Sequence, residues 1–235
     1  MKILSNIFSL LVLVVLFSGC GKDNYDAPDS RLTGTITYNG EALNLRGTGE
    51  AIQLQLFQDG YDKHDPISVY VGQDGVFSAM LFDGEYKLVT RDGNGPWVNN
   101  RDTMVVNLKG SADIKLEVTP YYLIKNEQIS VTESAMTASF TIEQIVPSAT
   151  INKVMLILSK TQFVDDVNNV FRQDISDVKS GAVSFTADIS GNTDVSNAKA
   201  LYARVGVLAN GADQAIYSSI VRILSLIHIS EPTRH

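Results

Sequence analysis

From Leu32 onward, apolar and polar side chains alternate in short runs, and no stretch sustains the 3.6-residue repeat of an amphipathic helix. Leu32 to Tyr38 is the first run, closed by Asn39-Gly40, a pair suited to the tight turn of a hairpin. Further runs are Ile52 to Gln58, Ile67 to Val71, Val76 to Leu81, Glu85 to Arg91, Thr103 to Leu108 and Ala112 to Val118. Between them lie Asp59-Gly60, Asp74-Gly75, Asp83-Gly84 and Asp92-Gly93, each supplying a glycine for the positive φ that turns demand. This succession of short strands and turns predicts a β-sandwich over residues 31–119.

Pro120, followed by Tyr121 and Tyr122, interrupts the pattern, because proline cannot continue a central strand. Beyond it the alternation predicts strands at Gln128 to Val131, Thr137 to Ile145, Lys153 to Ser159, Val183 to Ile189, Ala200 to Ala209 and Tyr217 to Ile223. Val154 to Leu158 is continuously apolar, as a strand in the middle of a sandwich or one buried on both faces should be. Phe163 to Phe171 reads as a short helix or as an edge strand with a polar loop. Residues 120–223 are expected to form an immunoglobulin or fibronectin type III sandwich. The fold class is therefore all-β, with two tandem β-sandwich domains.

The N-terminus carries a different signal. Lys2 precedes a short hydrophobic stretch, Ile7 to Phe17, and Ser18-Gly19 place small residues ahead of Cys20, the only cysteine. The stretch falls short of the roughly 20 residues a membrane-spanning helix needs. Residues 1–19 are expected to be a cleaved lipoprotein signal peptide, Cys20 the lipid attachment point, and residues 20–30 a lipidated tether. Phe17 stands where a lipobox usually has leucine, with Leu16 one position further back. At the other end, Leu224 to His235 reads as a translated sequencing-adapter tail that is not native, which leaves His64 as the remaining histidine.

Charge narrows the partners. The chain carries 19 basic and 26 acidic residues, a net −7; loss of Lys2 with the signal peptide makes that −8. The basic residues are scattered, which argues against nucleic acid, whose polyanionic backbone attracts clusters of Lys and Arg. An acidic surface gives no help on an anionic membrane either, so attachment must rest on the lipid. With its one thiol acylated, the chain has none left for a disulfide, and both domains must stand on hydrophobic cores.

Cys20 to Pro28, then Leu32-Thr33-Gly34, Tyr38-Asn39-Gly40-Glu41, Asn94-Gly95-Pro96-Trp97 and Tyr202 to Val207 together resemble a Bacteroidetes outer-membrane lipoprotein family of unknown function. The resemblance covers nearly all of Cys20 to Ile223. It implies a carboxypeptidase-regulatory or prealbumin-like sandwich followed by an immunoglobulin-like one. It also implies association with polysaccharide utilisation systems, beside outer-membrane porins and glycan-binding lipoproteins. Lys22-Asp23 is similar to the acidic signal that sends such lipoproteins to the cell surface, although Asn24 and Tyr25 interrupt the acids.

No motif carries a reaction, so the chain is expected not to be an enzyme and to need no cofactor or metal. Ser176-Asp177-Val178-Lys179 has S-x-x-K spacing but lacks the companions S-D-N and K-T-G, and reads as a solvated turn. His64 has no second histidine or thiol to complete a zinc site or a nucleophile pair, and reads as loop. Asp165-Asp166 with Asn168-Asn169 offers oxygen ligands of the kind calcium prefers, without EF-hand spacing. Gly47-Thr48-Gly49 lacks the third glycine and the following helix of a phosphate loop. The candidate ligand site is Trp97, the sole tryptophan, with Asn94, Asn99 and Asn100. An exposed indole there would stack on a sugar while the amides bind its hydroxyls; the other reading has Trp97 capping the sandwich or packing on the second domain. The function expected is accessory glycan binding in a capture or uptake system. The alternative is a structural partner of a porin and glycan-binding lipoprotein complex that never touches sugar.

Overall fold

The computed structural model describes residues 26–60 and 63–224. The expected signal peptide, Cys20, Tyr61 and the tail from residue 225 lie outside the described residues. Among the described residues no helix is long and apolar enough to cross a membrane.

The chain is all-β and forms two sandwiches. In the first, β1 (Ser30–Tyr38) is the centre of one sheet. It pairs antiparallel with β5 (Val76–Leu81) and the short β2 (Glu41–Ala42), and parallel with β8 (Ser111–Glu117). The opposing sheet runs β4 (Ile67–Tyr70), β3 (Gln53–Phe57), β6 (Gly84–Thr90), β7 (Met104–Leu108). Alternation along each strand sends one set of side chains inward. Leu32 and Ile36 of β1 and Phe77 of β5 face Leu54, Leu56 and Leu88, all of them buried. Each such side chain contributes about 1.5–3 kcal/mol of burial free energy. Asn39 and Gly40 have φ of 51° and 79°, as their turn demands. Gly84 departs from the turn chemistry expected of it: it is the first residue of β6, while the Asp83 carboxylate accepts hydrogen bonds from Ser30 Oγ and Gly110 N.

In the second sandwich, β10 (Ala135–Gln144) is flanked by β9 (Tyr122–Val131) and β13 (Gly181–Asp188). The facing sheet places β11 (Ile151–Ser159) between β12 (Phe171–Ile175) and β14 (Ala200–Ala209), with β15 (Ile216–Tyr217) and β16 (Val221–Leu224) on the far side of β14. A four-residue helix, α1 (Thr193–Ser196), precedes β14 and is capped by Asn192, which accepts from Val195 N at 3.1 Å. β11 is buried on both faces. Val154, Leu156 and Leu158 join the main core, whereas Met155 and Ile157 pack with Val164, Ala215 and Tyr217 on the other side.

Three expectations are corrected. β9 begins at Tyr122, six residues before the predicted Gln128, because a bulge at Asn126 and Glu127 breaks its alternation. Residues 160–170 form a polar loop and the edge strand β12 starts only at Phe171. The predicted strand Tyr217 to Ile223 is two short strands, β15 and β16, separated by residues 218–220, and Leu224 still pairs with Ala200.

Candidate functional site

Trp97 is not a surface platform. Its indole is 2% exposed and lies flat against Gly95, where an added Cβ would stand 2.2 Å from the ring. The surrounding backbone is tied to the domain linker: Val98 N donates to Thr119 O at 2.9 Å and Tyr121 N to Pro96 O at 3.0 Å. The large aromatic surface buried where the domains meet favours this placement, against the cost of an Nε1–H that is buried without a hydrogen-bond partner. The companion amides hold their own loop. Asn94 accepts from Gln53 N (2.6 Å) and donates to Ala51 O (2.7 Å); Asn99 accepts from Gly93 N (2.8 Å); Asn100 accepts from Asp102 N (2.7 Å). Tyr122 is buried and Tyr121 half-buried, so no aromatic cluster gathers on an exposed face around Trp97.

The other sequence candidates also resolve into structure. Asp165 is 1% exposed and accepts from Thr48 Oγ1 (2.5 Å), Val167 N (3.0 Å) and Asn168 N (2.9 Å), so its carboxylate anchors a loop across the domain boundary. Among the described residues no group of three potential metal ligands occurs. Thr48 sits in a single 3-10 turn, Thr48–Glu50, with no helix behind it. His64, Ser176 and Lys179 are exposed.

The residue that sequence reasoning missed is Arg204, 1% exposed in the middle of β14. Its Nε donates to Ser218 O (2.8 Å) and Nη1 to Leu45 O (2.9 Å) of the first sandwich; Nη2 reaches Gln73 O (3.3 Å), also in the first sandwich. The guanidinium carbon lies 4.6 Å from the centre of the Tyr217 ring. Burial pulls the Arg204 guanidinium down to about 10, still charged at neutral pH. Tyr217 donates to Asp166 Oδ1 at 2.8 Å, and burial together with the Asp166 carboxylate raises its phenol well above the ordinary range. The signal was available: an arginine interrupting the apolar run Leu201 to Val207 must find several acceptors if it is buried.

This bridge fixes a cleft between the sandwiches, of about 420 Å³, whose walls are the β1–β2 turn of one domain and the β9 bulge of the other. Two β9 residues, Asn126 and Glu127, stand opposite Phe140 alone, and Asn126 takes a φ of 55°. Such a bulge turns side chains that a regular strand would place elsewhere. Lys125 Nζ donates to Glu41 Oε2 across the cleft at 2.7 Å, which holds the Glu41 carboxyl below its usual range. Glu127 accepts from Ser219 N at 3.2 Å. Among the described residues the side chains of Tyr38, Asn39, Asn44, Asn126 and Glu143 line this cleft without a hydrogen-bond partner in the protein. The contrast with Asn94, Asn99 and Asn100 is direct: those amides are committed to the fold, whereas these remain open to a ligand.

Residues 30–119 match the family described as protein of unknown function (DUF3823), N-terminal domain, and residues 122–222 match the domain of unknown function DUF3823_C. A DUF3823 family protein from Parabacteroides merdae is 71% identical over 84% of this chain and 100% of its own, with a TM-score of 0.82. One from Bacteroides ovatus is 32% identical over 84% and 100%, with a TM-score of 0.74. The same fold, at 19% identity over 84% and 99% and a TM-score of 0.71, occurs in a "putative carbohydrate binding protein" from Bacteroides uniformis. No match was found among curated proteins. With both of its sandwiches matched in order and a solved relative of such high identity, the chain belongs to the DUF3823 family.

Proposed function

We propose that this protein is a lipid-anchored, non-catalytic glycan-binding component at the outer membrane, and that it holds sugar in the cleft between its sandwiches. The observation that carries the reading is the set of five unpartnered polar side chains, Tyr38, Asn39, Asn44, Asn126 and Glu143, converging on a cleft between two docked domains. Amides, a carboxylate and a phenol offer the mixture of donors and acceptors that vicinal hydroxyls require. Arg204 supports the same reading by holding the walls in one relation, so that little ordering accompanies binding. The charge is selective. Glu41, Glu127 and Glu143 against Lys125 leave three negative charges and one positive, a net −2, which repels uronate and sulphated chains and suits neutral glycans. The carbohydrate-binding description of the Bacteroides uniformis protein of like fold points the same way.

Affinity gel electrophoresis on neutral polysaccharides and on polygalacturonate tests the cleft. Retardation on at least one neutral polymer, its absence on polygalacturonate, and its loss in Asn126→Ala/Glu143→Gln are expected. A folded protein retarded by none of the neutral polymers would end the proposal. The anchor rests on Cys20, which follows the apolar run at the head of the chain and precedes the polar segment Gly21 to Asp29. Cells fed labelled palmitate should yield labelled protein from wild type and none from Cys20→Ala.

A second reading, docking on a porin and glycan-binding lipoprotein complex without sugar contact, draws on the outer face of β5. Val76 and Met80, followed by Phe82, are 45%, 55% and 51% exposed. Under that reading the cleft variant behaves as wild type, and Met80→Glu/Phe82→Glu disrupts assembly.

A further inference from the structure

We propose a second site at the open end of the C-terminal sandwich, one that takes a single neutral pyranose and is centred on the hydroxyl of Tyr122. This end holds a pocket of about 450 Å³, within the range of small-molecule sites. Tyr122, Gln144, Ile151, Asp177, Val178 and Lys179 line it.

Three observations converge there. The ring of Tyr122 is buried, with 2% of the residue exposed, while its hydroxyl makes no hydrogen bond among the described residues and opens on the pocket. Burial raises its pKa above the ordinary value, so it stays a neutral donor and acceptor. Gln144, its register partner on β10, is by contrast fully engaged: its two Nε2 hydrogens are shared among Val146 O (3.1 Å), Pro147 O (3.0 Å) and Ala149 O (2.9 Å), and Oε1 accepts from Ser180 Oγ (3.1 Å). The amide thus builds a fixed wall and leaves the phenol as the open polar group. Finally, Asp177 and Lys179 on the rim, within the Ser176 to Lys179 segment that resembled a catalytic motif, have no partner among the described residues.

The chemistry selects the ligand. The open phenol at the centre is neutral, a donor and an acceptor at once, and so matches a ligand hydroxyl. Ile151 and Val178 offer apolar surface to the C–H face of a sugar ring, while Asp177 accepts from, and Lys179 donates to, hydroxyls at the rim. The site is distinct from the interdomain cleft and does not depend on it. Tyr122 and Gln144 face this pocket, whereas the next pair along the same two strands, Leu123 and Glu143, lines the cleft.

The test is a ¹⁵N NMR titration of the soluble two-domain protein with D-glucose, D-galactose, D-mannose and N-acetyl-D-glucosamine. At least one sugar should shift the amides of Ile151, Val178 and Lys179 saturably. Tyr122→Phe removes only an unpartnered hydroxyl, so it should unfold like wild type and bind about three- to tenfold more weakly, the worth of one hydrogen bond. Asp177→Ala, on the exposed rim, should weaken binding by a similar factor. Shifts confined to Asn44, Asn126 and Glu143 would overturn this site and leave the cleft standing. No shift at the pocket amides with any of the four sugars, or equal affinity in Tyr122→Phe, would also overturn it.

Discussion

Gly34 lies on β1 between Phe77 of β5 and Ile114 of β8, its register partners on the two sides. A Cβ at this position would come within 2.4 Å of Phe77 Cζ and 2.9 Å of the Ile114 carbonyl oxygen. The backbone there is ordinary for any residue, so the constraint is space alone. Gly34→Ala should therefore destabilise the first sandwich by overpacking, by about 1–3 kcal/mol. Differential scanning calorimetry should show Tm lower by roughly 4–8 °C for each kcal/mol lost in a domain of this size. Single residues also mark where sequence reading stops. The breakers around Trp97 read correctly as a loop, but whether its indole faced water or protein depended on the linker folding back over it, a contact between residues 96–98 and 119–121 that no local pattern encodes. Asn126 and Glu143 were passed over for a related reason. They are ordinary polar residues until the β9 bulge and the docking of the domains bring them to Asn39 and Asn44.

At the scale of the strand, alternation with turn dipeptides carried most of the fold, because a half-buried strand must repeat every second residue. It failed where that requirement lapses. The first half of β9 is masked by its bulge, and β12, an edge strand with the pattern Phe-Arg-Gln-Asp-Ile, shows little apolar surface to find. That edge is held partly by charge: Asp174 of β12 receives Lys153 Nζ at 2.7 Å and the Arg172 guanidinium at 2.6 and 2.7 Å. Hydrogen bonding from Arg172, then from Lys153, lowers the Asp174 carboxyl to about 2. The sign follows from linkage. A carboxylate whose folded pKa is depressed adds stability above its unfolded pKa of about 3.9 and loses it as pH falls through the folded value. Asp174→Asn should thus lower the unfolding free energy at pH 7 by ~0.5 kcal/mol for so accessible a pair, read as a lower urea midpoint. The difference from wild type should shrink steadily between pH 5 and pH 2. A difference that stayed constant over that window would remove the ion pair as its cause.

Two sandwiches joined by a single proline-containing linker would ordinarily move relative to each other, since interfaces between domains within a chain are usually modest and polar. Here the linker is clamped by Trp97 and Pro120, and the opposite side of the interface is closed by Arg204. The arginine is positioned by β14 and Tyr217 in the second domain and gives its hydrogen bonds to the carbonyls of Leu45 and Gln73 in the first. Arg204→Met fills a similar volume but leaves the carbonyls of Leu45 and Ser218 buried without a donor, while that of Gln73 keeps the hydrogen bond from Leu45 N. Each orphaned acceptor costs about 1–3 kcal/mol. The variant should therefore be destabilised by roughly 2 kcal/mol or more, with the loss concentrated at the domain boundary. Hydrogen exchange should rise in segments 44–48 and 217–219, and limited proteolysis should cut near residue 119, while β10 and β11 keep their protection. Arg204→Lys retains the charge without the planar fork that reaches both domains, and should fall between the two. If Arg204→Met unfolds in one transition with unaltered exchange at those segments, the arginine is core packing and does not set the angle of the cleft. If the boundary loosens as expected, glycan retention in the cleft should weaken in the same variant even below its melting temperature, because Asn39 and Asn126 would no longer be held at one separation.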